Sequence, residues 1–198
     1  MPIDNLERFR RAIAAIDAAN AADPETLSLK GKVLPKEQTH AEMATRWVER
    51  LRPDAPEALL IAARAHHIRR WERPRADYPA GRQGYLRWRR DLQVFHAETA
   101  GAILAAESYD AETIERVGTI IRKRGLGRDK DVQAFEDALS LVFLETQLRE
   151  FTPTQDEDKV VNILRKTWRK MSPAARTAAL AFEFDPQDLR LIEAAIGE

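Results

Sequence analysis

A chain of 198 residues is long enough for one well-filled core, or a core with a small appendage. Its 32 Lys and Arg balance 32 Asp and Glu, so it lacks the basic excess of a general nucleic-acid binder, and no such partner is expected. The absence of cysteine excludes disulfides, thiolate ligands and thiol nucleophiles, while 44% apolar and 32% charged residues suit a globular domain with a wet helical surface.

The chain opens Met1-Pro2-Ile3-Asp4 without the basic and apolar regions of a signal peptide. It has no apolar run of about 18 residues, so no membrane span is expected and a cytoplasmic location is the default. Leu6, Phe9, Ile13 and Ile16 recur at spacings of three and four, which predicts a first helix over residues 5–22, closed by Asp23-Pro24. Leu27, Leu29 and Val33 alternate around Lys30-Gly31-Lys32, as a tiny hairpin or an extended connector would. The second helix runs from Pro35 or Lys36 to Leu51, with His40, Met43, Ala44 and Trp47 on one face. The third is expected from about Pro56 to Arg70, with Leu59, Ala62, Ala63, His66 and, one step round, His67 turned inward.

Pro74, Pro79, Gly81 and Gly84 make residues 71–84 a loop. A fourth helix follows from about Tyr85 to Ala106 with His96 on its inward side. Asp110 caps a fifth, and Arg124 to Arg128 separate that from a sixth over about Asp131 to Glu150. Beyond Thr152-Pro153, two or three amphipathic helices form a tail, with starts at Ser172-Pro173 and Asp185-Pro186. The fold class is therefore all-α: a helical bundle over residues 1–152 with a helical extension, residues 153–198, packed on it.

All four histidines, His40, His66, His67 and His96, fall on inward faces. Adjacent histidines on a helix lie about 100° apart and can reach one ion off the edge of their face. Imidazole suits zinc, iron and manganese, so a divalent metal is the expected cofactor. Asp137, between Phe135 and Ala138, is the acidic candidate ligand, with Glu136 beside it to orient a histidine. Solvated acids are the competing reading of both. Nine arginines lie between Arg64 and Arg90 against only Glu72 and Asp77. Arg69, Arg70, Arg73 and Arg82 are the candidate contacts to a small anionic or phosphorylated ligand, because guanidinium grips oxyanions in a two-pronged fork. Salt bridges in a solvated loop are the alternative.

The order His, His-His, His, Asp resembles the HD superfamily of helical metal-dependent phosphohydrolases. His40 matches its first histidine, Ala65-His66-His67 its His-Asp doublet with His67 in place of Asp, and Phe135-Glu136-Asp137-Ala138 its final aspartate. Phe95-His96-Ala97-Glu98 is similar to an additional motif of members with larger metal sites, and Glu98 is assigned a supporting role beside His96. The resemblance implies an HD-like bundle and phosphoester hydrolysis by metal-activated water, with Glu72 as general acid or base. It also admits iron-dependent oxygenation, or a metal- and anion-binding sensor without turnover. The absence of the doublet's carboxylate puts a two-metal site in doubt. His66 to Glu72, Tyr78-Pro79, Gly81-Arg82, Gly84-Tyr85-Leu86, Trp88-Arg89 and Phe95 to Glu98 resemble more closely the family known as domain of unknown function 4202. That family implies no reaction. The oligomeric state stays open, a homodimer included.

Overall fold

The computed structural model describes residues 5–29 and 31–197. Residues 1–4, on which the reading of the N-terminus rests, and Lys30, at the tip of the expected hairpin, lie outside the described residues. Ten α-helices and one two-stranded hairpin make up the regular α and β structure among the described residues, and the all-α expectation holds.

α1 (Leu6–Asn20) starts where Asn5 Oδ1 accepts the Arg8 amide at 3.0 Å, and it buries Ala12 and Ile16. β1 (Thr26–Leu29) and β2 (Lys32–Pro35) pair antiparallel with Leu27 opposite Leu34, so the apolar alternation forms a hairpin. Asp23 joins this hairpin to α2 (Lys36–Leu51). Its Oδ1 accepts the Glu25 amide at 2.9 Å and its Oδ2 the Glu37 amide at 2.8 Å, which caps a helix that Pro35 cannot cap.

α3 (Glu57–Ala65) is the centre of the bundle. Residues 58–63 are all buried, and the helix packs on α1, α2 and α5 (Ala111–Ile121). It stops five residues short of the expected Arg70. His66 and His67 therefore sit in the turn that follows it, not on the helix itself. The turn is made by Arg69, whose φ of 52° is left-handed and whose amide donates to the buried Asn20 Oδ1 at 3.1 Å. A 3₁₀ turn at Arg70–Glu72 and another at Arg75–Asp77 follow. Arg75 donates to the carbonyls of Tyr78 and Pro79, both at 2.8 Å, so this member of the arginine belt holds the loop.

α4 (Gly81–Ala106) begins four residues before the expected Tyr85. Gly84 lies inside it because the chain doubles back: a Cβ on Gly84 would lie 1.8 Å from the Pro79 carbonyl oxygen. Gly84→Ala should thus destabilise the fold by about 2 kcal/mol through overpacking. A lower urea midpoint at unchanged slope would register this, with the exposed Gln83→Ala as a neutral control.

Asp110 caps α5 through the Thr113 amide at 2.8 Å, and Asp129 caps α6 (Lys130–Val142) through the Asp131 amide at 2.9 Å. Arg116 ties the two helices together by gripping Asp129 and Asp131, each at 2.5 Å. The expected sixth helix to Glu150 is interrupted. A π-helical turn at residues 143–147 separates α6 from the short α7 (Leu148–Phe151).

The tail is α8 (Glu157–Lys170), α9 (Pro173–Ala179) and α10 (Pro186–Ile196), with Ser172 and Asp185 as caps. α8 pairs with α10, and α9 lies on α6. Among the described residues no helix is long and apolar enough to cross a membrane.

Candidate metal and anion site

The turn that follows α3 and the first turns of α2 converge on one carboxylate, Glu37. It is 6% exposed. His67 Nδ1 lies 3.0 Å from its Oε2, His40 Nδ1 3.8 Å from the same oxygen, and Arg70 Nε 3.7 Å from Oε1. Burial opposes ionisation of Glu37, but His67, His40 and Arg70 together outweigh it and hold the carboxyl well below the usual range. The site thus contains a buried carboxylate charge.

The imidazoles around it have defined tautomers. His66 Nδ1 is 3.0 Å from the Ala63 carbonyl oxygen, and His96 Nδ1 is 2.9 Å from that of Ile68. A carbonyl only accepts, so each Nδ1 carries the proton and each Nε2 presents a bare lone pair. His96 Nε2 is buried with no hydrogen-bond partner. Burial lowers His66 to about 3 and His96 to about 4, so both are neutral at pH 7. Burial also lowers His67, with Glu37 partly opposing. Neutral His67 then donates at Nδ1 to Glu37 and accepts at Nε2 from Arg70 Nη1, 3.0 Å away. The His67 ring is 4.3 Å from that of His66 and 5.7 Å from that of His96, centroid to centroid. His40 Nε2 faces Thr146 Oγ1 at 3.3 Å, a contact supplied by the π-helical turn.

Glu37, His66 and His67 each offer one ligand atom such that all lie within 4.8 Å of one another. One carboxylate and two neutral imidazoles are a donor set suited to zinc, iron or manganese. Beside them is a cavity of about 30 Å³, room for a water or a small ion. Its polar walls are His66, His67, Arg70, Arg89, Gln93, His96 and Lys123, over a floor that includes Leu92 and Phe135. Lys123 adopts a left-handed φ of 56° just past α5 and donates to the buried carboxylate of Glu136. Burial pushes its ammonium below the usual lysine range, opposed by Glu136. A second cavity, between α8, α9 and α10, is apolar and of about 10 Å³; it contains no chemistry.

The structure thus brings His66 and His67 together with Glu37, while His40, 3.8 Å from the same carboxylate, and His96, against the His67 ring, lie outside that three-residue donor set. Other expected site residues lie elsewhere. Asp137 is buried, but its Oδ1 accepts from the Ser172 amide and from Gln133 Nε2, both at 2.9 Å, so it fastens the tail to α6. Glu136 serves Lys123 and, at 3.6 Å, Lys170; it orients no histidine. The backbone carbonyls and Glu37 do that. Glu72 is the 2.6 Å partner of the exposed Arg69. Arg73 covers the Phe95 ring at 4.8 Å, while Arg82 and Glu98 are exposed. Sequence alone assigned no site role to Glu37, Arg89, Gln93 or Lys123, although Arg89 stands in the Trp88-Arg89 motif. Two signals for them existed: Glu37 precedes His40 by three residues, and Arg89, Gln93 and His96 recur at helical spacing on α4.

Residues 10–192 match the family described as Domain of unknown function (DUF4202). Comparison with curated proteins and with solved structures returns no match.

Proposed function

The chain belongs to the DUF4202 family, and we propose that it is a metal-dependent phosphohydrolase acting on a small phosphorylated or nucleotide-like substrate. The observation that carries this reading is the convergence of Glu37, His66 and His67 within 4.8 Å beside a cavity walled by Arg70, Arg89 and Lys123. The donor set fits a divalent ion, since Glu37 is ionised and His66 keeps a bare Nε2. The order of His40, the His66-His67 pair and His96 supports kinship with the HD phosphohydrolases. A divalent ion held there would supply a polarised water at neutral pH. Glu37, His66 and His67 hold and orient it. Arg70, Arg89 and Lys123 neutralise charge on the phosphoryl oxygens. Gln93 donates an amide, and His96 Nε2 accepts a hydrogen bond from substrate or water.

A second reading, a binding module without turnover, is favoured by one observation. Glu72 points its carboxylate at Arg69, so the cavity wall has no free acid to serve as general base. The two readings separate in one experiment: elemental analysis of protein purified without chelator, together with phosphate release from a nucleotide and sugar-phosphate panel. Hydrolysis predicts bound metal and turnover, both lost in His66→Ala/His67→Ala. Metal and phosphate binding with no turnover across the panel would favour the binding module. Protein that takes up no added zinc, iron or manganese would remove both.

A further inference from the structure

Arg70 stands where a cation is wanted. Its Nη1 donates to the His67 Nε2 lone pair at 3.0 Å, its Nε lies 3.7 Å from Glu37 Oε1, and its guanidinium rests over the Trp88 ring at 5.2 Å. It thus covers one ligand atom of His67 and faces the carboxylate that the proposed ion needs. A dication and a guanidinium cannot share those groups without strong repulsion. The backbone of Arg70 is held, because the preceding left-handed Arg69 is pinned to Asn20. Its half-buried side chain is what can move, and the cavity it lines also holds Arg89 and Lys123.

We infer that Arg70 is a built-in stand-in for the metal, and that it couples metal binding to oxyanion binding. An arriving ion takes Glu37 and His67 from the guanidinium. Arg70 then turns into the cavity, where it joins Arg89 and Lys123 as a third donor for an oxyanion. Metal and anion therefore favour each other, and by linkage each raises the affinity of the other by the same factor. This rests on the metal reading above, and it goes beyond it by making one residue responsible for both sites.

The test uses the whole chain with Mn²⁺ and inorganic phosphate as probes. Calorimetric titration gives each affinity alone and in the presence of the other, and tryptophan fluorescence, with Trp88→Phe as control, follows the departure of Arg70 from the Trp88 ring. Arg70→Met keeps the apolar stem and removes the charge. It should bind Mn²⁺ alone on the order of 10-fold more tightly than wild type. In wild type, Mn²⁺ and phosphate should strengthen each other by about 10-fold, and in Arg70→Met this mutual factor should fall to about one. Arg70→Lys retains a charge but not the fork, so its Mn²⁺ affinity should lie between the two. If Arg70→Met binds Mn²⁺ no more tightly than wild type, or keeps the mutual factor, Arg70 is not the coupling element, although the metal site stands. If neither protein takes up Mn²⁺ or Zn²⁺, the metal reading falls and this inference falls with it.

Discussion

Replacing Glu37 with glutamine is expected to abolish divalent-metal binding at the proposed Glu37-His66-His67 site. The amide nearly matches the carboxylate in shape and can still accept from His67, so α2 should keep its place. What it lacks is the charge on which the donor set depends, since His66 and His67 are both neutral imidazoles. Loss of a partner one step removed from a metal costs about 10–100-fold in affinity, so loss of the charged ligand itself should cost about 100-fold or more. Chelator competition with Zn²⁺ measures this directly. Unchanged affinity in Glu37→Gln would refute the assignment of Glu37 as a ligand. Glu98→Gln, at an exposed position of the same chain, should bind as wild type does.

The fold should also be acid-sensitive well above the range in which carboxylates titrate. His66 and His96 are buried, with folded values near 3 and 4, whereas in the unfolded chain both titrate near the ordinary 6.5. Below that value the unfolded state takes up protons that the folded state refuses. Stability then falls by about 1.4 kcal/mol per pH unit for each histidine. The fall levels off only near the folded values. At pH 5 the two together cost about 4 kcal/mol, a large share of the roughly 5–15 kcal/mol typical of a folded domain. His67, lowered for the same reason, adds to it. Glu37 acts in another window: its folded value is depressed, so its contribution is present above the unfolded carboxylate range and is lost only as pH falls below that range. Urea unfolding at pH 7.5, 6 and 5 should show the loss, and His96→Gln should show a shallower one. Equal stability of the wild type at pH 7.5 and 5 would contradict the burial of these imidazoles.

What the sequence revealed depended on whether local signals and tertiary demands agreed. α2 was legible to the residue at its end, because the apolar stripe through Met43, Ala44 and Trp47 coincides with the buried face. The starts of α5, α9 and α10 were legible because Asp110, Ser172 and Asp185 do there what capping residues do in isolation. The end of α3 was not. Its apolar period continues to Ile68, itself fully buried, yet the chain leaves the helix at His66 because Asn20, forty-nine residues away, holds the Arg69 amide in a left-handed turn. The start of α4 was hidden for the opposite reason. Gly81 and Gly84 read as loop, but Gly84 is a point of close approach inside a helix.

In the site, burial was easier to read than direction. His40, His66 and His96 are buried as their faces implied, and so is Asp137, but the aspartate turns to the tail. Glu37 escaped notice because an acid in the first turn of a helix is ordinary, as a partner of the helix dipole. Only the fold brings His67 to it, across thirty residues of chain.

The carbonyls of Ala63 and Ile68 that fix the protons of His66 and His96 have an evolutionary consequence. A side-chain partner can be lost to a single codon change; a main-chain oxygen cannot. The orientation and basicity of these two imidazoles are thus insulated from drift at positions 63 and 68, as long as the replacements still fill the core. The heritable weak point moves to residues that shape the path of the chain there, Asn20 and the left-handed Arg69, neither of which touches the cavity chemistry. A core-filling replacement at position 63 or 68 should therefore leave the Nε2 lone pairs of His66 and His96 where they are.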